Sequence, residues 1–193
     1  MARIKRIALT GGPSGGKSTT IRRIEQTMPD VLCAPEVATL LLSGGYPAPS
    51  AEFPWGYGWQ KNFQRAVAAA QVAIESEYDR RADLVQAKTI VYDRGILDGA
   101  SYLRGGIHEL EDITQISEAD MLARYDTVIH LPSSAAKGLE KYDKASNQHR
   151  FEEAAEALAL EGRVLTAWDN HPNRIIVDGI DPLTALIRAL QQQ

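Results

Sequence analysis

Residues 11–19 read Gly-Gly-Pro-Ser-Gly-Gly-Lys-Ser-Thr, between an apolar run from Ile4 to Thr10 and a helical pattern from Lys17 to about Met28. No other segment constrains the chain as much. The spacing of Gly11, Gly16, Lys17 and Ser18 follows G-x-x-x-x-G-K-[ST], whose chemistry works only between a strand and a helix. Glycines let the backbone curl until several N–H groups converge, and the start of the helix adds the positive end of its dipole. Such a concavity suits the oxygens of a polyphosphate, with Lys17 as an added point charge.

The rest of the chain alternates apolar runs with helical patterns, the signature of a mostly parallel sheet covered on both faces. Strands are expected at Ile4–Thr10, Val31–Ala34, Thr89–Tyr92, Thr127–Leu131 and Arg174–Val177. Helices are expected from Pro35 and Glu36 to about Leu42, from Trp59 through Tyr78, from about Phe151 to Asn170, and from Pro182 to Gln192, with short helical pieces across Ile96 to Arg124. The stripe Trp59, Phe63, Val67, Ala70, Ile74 and Tyr78 repeats every three or four residues, so packing is the first use of that face. Tyr46 to Gly58 is rich in Pro, Gly and aromatics and reads as an irregular loop able to cover a site. The expected architecture is therefore α/β: a three-layer α/β/α P-loop NTPase fold around a five-stranded, mostly parallel sheet, with residues 1–193 as one domain.

Composition excludes several classes. A net charge of -4, with basic residues spread along the chain, lacks the positive field of a duplex-binding domain. The lone Cys33 pairs with nothing internally, which fits a reducing compartment. The N-terminal apolar stretch is shorter than a signal-peptide core, and no window approaches the roughly 18 apolar residues of a membrane span. A cytoplasmic location is the expectation.

The loop accounts for the nucleotide. Gly11, Gly12, Pro13, Ser14, Gly15 and Gly16 would cradle the phosphates, Lys17 would reach the β- and γ-phosphates, Ser18 would ligate magnesium, and Thr19 would contact the α-phosphate. Ligands of open α/β sheets bind at the carboxyl ends of strands, so the class of reaction is read there. Asp93 follows the apolar run Thr89-Ile90-Val91-Tyr92, the pattern of a magnesium-holding Walker-B strand, with an N-cap or a structural ion pair as the plainer use. Motor ATPases commonly place a glutamate next, whereas Arg94 stands here, and the marks of a GTPase are missing. Glu36 sits just past the second strand, where its likeness to deoxynucleoside kinases, which place an acidic residue there to take the acceptor hydroxyl proton, implies a base; an acidic residue in a first helical turn is the equal alternative. From Lys137 to Arg150 the chain is polar and basic; Arg150 is the expected lid arginine, against the commoner fate of a solvated loop.

These segments together, RIALTGGPSGGKST, PEVAT at 35–39, YDRGILDGASY at 92–102 and Asn147 to Glu152, resemble the small stand-alone P-loop "AAA-domain" proteins of the kinase-like group. The group is similar to the ribosylnicotinamide kinase domain of the bacterial NAD regulator and to the TRPL translocation defect protein. The resemblance spans nearly the whole chain. It implies that Asp93 and Arg94 belong to the active site and that Arg150 is a lid arginine.

The expected activity is magnesium-dependent transfer of the γ-phosphate of ATP or GTP to the hydroxyl of a small metabolite such as a nucleoside. Lys17, Glu36, Asp93, Arg94 and Arg150 carry it, with Ser18 and Asp93 on the metal. Trp55, Tyr57 and Trp59 are candidates to stack an acceptor ring. A nucleotide-dependent switch and a slow NTP hydrolase without acceptor are the rival readings.

Overall fold

The computed structural model describes residues 3–133, 154–178 and 180–191. Its elements run β1 (Lys5–Thr10), α1 (Lys17–Thr27), β2 (Val31–Ala34), α2 (Val37–Ser43), α3 (Tyr57–Val85), β3 (Thr89–Asp93), a 3₁₀ helix (Ile96–Tyr102), α4 (Gly106–Thr114), α5 (Glu118–Leu122), β4 (Thr127–His130), α6 (Ala154–Ala167), β5 (Arg174–Ile176) and α7 (Pro182–Gln191). The strands form one five-stranded sheet in the order β2-β3-β1-β4-β5. Every pairing is parallel, with Leu9 opposite Asp93 and Thr10 opposite His130.

That order explains the hydrophobicity of β1, the central strand. Ile7 and Leu9 project to one face and pack with Ile24 of α1 and Leu186 of α7. Ala8 projects to the other, where Tyr92, Leu97, Leu160, Val164 and Trp168 gather beneath α3 and α6. Side chains alternate between faces along a strand, so where β1 is covered on both sides it is apolar at successive positions, Ile7, Ala8 and Leu9. The result is the three-layer α/β/α, P-loop NTPase-like architecture read from the sequence.

Differences lie at element ends. Ile4 precedes β1, and β3 runs one residue further than the apolar pattern, because Asp93 still pairs in register with Leu9. The helix after β2 starts at Val37, leaving Glu36 as its N-cap. α3 begins at Tyr57, so Tyr57 and Trp59 belong to the helix and the irregular loop ends at Gly56. Trp168 lies just past α6 and turns into the core, fully buried.

The chain passes from β1 to β2 on one side and reaches β4 and β5 on the other, so the direction of winding reverses beside β1. A crevice opens at the carboxyl ends of strands where the winding reverses. Residues 11–16 follow β1 directly into it.

Candidate active site

Residues 11–16 turn tightly against β4. Gly11 has φ +135°, and a Cβ there would lie 2.0 Å from the Leu131 carbonyl oxygen, so neither conformation nor space admits another residue. Ser14 also takes a positive φ, of 54°, and Gly16 caps α1 at φ +85°. Lys17 is 5% exposed, and its Nζ donates to the Gly11 and Gly12 carbonyl oxygens, both at 2.8 Å, arching across the loop. Pro13 is buried, Ser14 and Gly15 are half-buried, and Gly16, Ser18 and Thr19 are exposed.

A carboxylate from α6 braces this loop. Glu161 Oε2 accepts from the Gly12 N–H at 2.8 Å and the Ser133 N–H at 3.0 Å, and Oε1 meets His130 Nε2 at 2.5 Å. Burial alone would raise the Glu161 carboxyl, but His130 and the two N–H groups hold it below the ordinary glutamate value. Nothing in the sequence marked Glu161 or His130, since the contact to Gly12 spans 149 positions.

At the end of β3 the charges interlock. Arg94 Nε donates to Glu36 Oε1 at 2.7 Å, and its Nη1 donates to Asp98 Oδ1 at 3.0 Å and to the Gly11 carbonyl at 3.2 Å. Asp98 is the hub: it also accepts from Thr10 Oγ1 at 2.7 Å, the Gly95 N–H at 3.1 Å and Trp168 Nε1 at 3.2 Å. An ionised carboxylate has room for about four such donors. Arg94 itself has φ +72°, a left-handed backbone that costs about 1–2 kcal/mol in a residue with a Cβ. Strain of this kind persists where the surroundings over-determine it and gathers at functional sites.

Glu36 and Asp93 respond in opposite directions to this setting. Burial would raise the Glu36 carboxyl, but Arg94 and the Thr39 hydroxyl, 2.6 Å from Oε2, bring it down to about 2. Asp93 goes up to about 6, first through burial and then through the charge of Glu36, against the pull of Lys17 and Arg94. Its Oδ1 is buried and has no hydrogen-bond partner among the described residues. A buried carboxylate oxygen left without a donor is what a hard cation would satisfy, and Ser18, exposed at the start of α1, has the hydroxyl that such a site adds. The donor set fits magnesium.

The structure thus brings Lys17, Glu36, Asp93 and Arg94 together at one end of the sheet and adds Asp98, whose role the sequence left unread. Arg150, with the basic run before it, lies outside the described residues. The aromatics divide. Trp59 stacks on Phe63 at 5.0 Å and donates to the Pro47 carbonyl at 2.6 Å, while the Tyr57 hydroxyl bonds Glu109 and accepts from the Arg104 N–H. Trp55 remains 58% exposed. No helix among the described residues is long and apolar enough to cross a membrane.

A family model described as "AAA domain" matches residues 6–182, from the first strand to the start of the last helix. The chain belongs to the AAA-domain family. The match covers the phosphate loop, the β3 cluster and α6 together, so this AAA-domain protein is a nucleotide-binding P-loop protein of a nucleotide-using class. No curated protein matches the chain, so the assignment rests on the family rather than on any single relative.

Proposed function

We propose that this AAA-domain protein is a phosphotransferase that moves the γ-phosphate of ATP or GTP to the hydroxyl of a small metabolite. The observation that supports it is the guanidinium of Arg94, which touches the phosphate loop through Gly11 and the carboxylate of Glu36 in one grip. Phosphoryl transfer needs positioning and charge neutralisation more than covalent chemistry. In this reading the loop N–H groups and Lys17 hold the donor phosphates. Magnesium held by Ser18 and Asp93 would supply charge neutralisation at the phosphate oxygens.

Glu36 receives the acceptor hydroxyl. A carboxyl held at about 2 is a weak base, so it works first as an ionised hydrogen-bond acceptor that aims the hydroxyl oxygen, and takes the proton late, as the new bond makes it acidic. Arg94 keeps it ionised and, with Nη2 free of partners among the described residues, has donors left for an anionic oxygen. Neither Glu36 nor Asp93 is then left to activate water, which favours transfer over hydrolysis.

One observation favours a switch instead: the Glu161 link from α6 to Gly12 ties the helix after residues 134–153 to the phosphate loop. Incubation with γ-labelled ATP or GTP, magnesium and pooled nucleosides, nicotinamide riboside, sugars and pantothenate separates the readings. A labelled small molecule supports the kinase; nucleotide binding with no labelled product refutes it. In the kinase, Glu36→Gln lowers transfer about 100- to 10,000-fold, the scale of one positioned acid–base group, and leaves nucleotide affinity nearly intact.

A further inference from the structure

Gly12 is gripped by both of its backbone polar groups. Its carbonyl oxygen, like that of Gly11, accepts from Lys17 Nζ at 2.8 Å, and its N–H donates to Glu161 Oε2 at 2.8 Å. A nucleotide acts on these two grips differently. A phosphate oxygen carries charge and outcompetes a carbonyl for an ammonium, so phosphates draw Lys17 off the loop backbone. An ionised carboxylate has no donor to offer a phosphate, so nothing in a nucleotide draws Glu161 off Gly12.

The surroundings of this carboxylate are built for it. Gly12 takes no left-handed φ, so conformation alone admits other residues there. Space does not: a Cβ would lie 2.1 Å from Glu161 Oε2 and 3.1 Å from the Ser133 Cβ. The room taken by a carboxylate 149 positions away therefore decides the second glycine of the loop. Glu161 is 3% exposed, and its other oxygen faces His130 Nε2 on β4, in register with Thr10, the residue before the loop. Because the ionised carboxylate only accepts, the imidazole carries a proton on Nε2 and fixes Oε1 as the Gly12 and Ser133 N–H groups fix Oε2.

We propose that Glu161 is a positioning residue for the nucleotide: held by His130, it keeps the phosphate loop in its binding shape through the Gly12 N–H, and through the same contact bound nucleotide stabilises α6. Such coupling is reciprocal, since whatever a contact adds to nucleotide affinity, nucleotide adds to the contact. The inference rests on nucleotide binding alone and holds for a phosphotransferase and for a switch.

The test uses the full chain as wild type, Glu161→Ala, Glu161→Gln, Gly12→Ala and the variant carrying both alanines. Calorimetry measures affinity for non-hydrolysable analogues of ATP and GTP with magnesium, and hydrogen exchange follows the backbone of α6 and α1 with and without them. Glu161→Ala is expected to weaken binding by about 5- to 150-fold, the range of a coupling between two sites. Gly12→Ala, whose methyl displaces Oε2, weakens it on the same scale, and the double variant binds no worse than the worse single one, as for two residues that act through one contact. Nucleotide slows exchange in α6 of wild type; in Glu161→Ala the slowing is lost from α6 and kept in α1. Glu161→Gln keeps an oxygen for Gly12 but turns an NH₂ towards His130 Nε2, which would move the ring proton to Nδ1, buried and without a partner among the described residues. It should bind between wild type and Glu161→Ala, and if the alanine variants do not fold, a glutamine variant that binds as tightly as wild type overturns the proposal. So do wild-type affinity in Glu161→Ala, effects of the two alanines that multiply, α6 exchange in wild type that ignores nucleotide, and failure of wild type to bind either analogue. None of these readouts involves a labelled product, so absence of transfer overturns the phosphotransferase and leaves the role of Glu161 standing.

Discussion

The two ends of the sheet handle charge differently. At the amino ends of the strands an open groove of ≈ 1250 Å³ is lined by Arg3, Lys5, Lys88 and Asp126 among others, and its ion pair, Arg3 with Asp126, leaves the arginine side chain 78% exposed. At the carboxyl ends, Lys17, Asp93, Arg94 and Asp98 are each 8% exposed or less. An ion pair whose arginine stays in water contributes little to stability either way. Charge at the second end is desolvated, which is tolerable only where partners are close or where a ligand completes the set. The open groove is therefore the less informative of the two ends.

The contrast breaks first at Asp98. Asp98→Ala would leave Arg94, Thr10, the Gly95 N–H and Trp168 short of an acceptor, and should cost about 3–5 kcal/mol in urea unfolding, the cost of stranding a buried charge. A loss under about 1 kcal/mol would mean that the cluster re-pairs without its hub. Next comes Lys17→Ala, for which titration with a fluorescent nucleotide should show about 100- to 1000-fold weaker binding, within the roughly 2–5 kcal/mol that removing one partner of a buried, hydrogen-bonded charge pair costs. Unaltered affinity would remove the loop as the phosphate site.

Asp93 and Glu36 give the contrast a pH signature. Because folding raises Asp93 from 3.8 to about 6, the native state holds a proton that the unfolded chain has lost, and stability without nucleotide falls as pH rises from about 4 to about 6. Glu36 has the opposite sign: held at about 2 against an ordinary 4.5, its contribution is complete above about 4.5 and is lost as pH falls towards 2. Asp93→Asn should therefore flatten the limb between pH 4 and 6 and raise stability at pH 7 by up to about 3 kcal/mol. The same change should weaken magnesium-dependent nucleotide binding, and wild-type binding should weaken below about pH 6 as Asp93 takes its proton. Thermal melts across pH with and without magnesium check both, and an unchanged limb in the variant would reassign the titration. Smallest is Arg3→Ala at the other end, which should change unfolding by less than about 1 kcal/mol.

What the sequence by itself determined was local. The spacing at Gly11 to Ser18 works only at a strand-to-helix turn, and runs such as Ile90 to Tyr92 are too short and too apolar for anything but buried strands, so the fold class and the phosphate loop were legible. Asp93 and Arg94 stood out because they end such a run. Element ends were less legible: Asp93 stays in β3 through pairing with Leu9, and Tyr57 joins α3 although its neighbours read as loop. Only the tertiary structure decided which charges meet. Glu36 reaches Arg94 across 58 positions and Trp168 reaches Asp98 across 70, and the same letters far apart in the chain carry no sign of the meeting. Backbone conformation is set by neighbours in sequence, whereas desolvation and pairing are set by neighbours in space, and the chemistry of this site depends on the second.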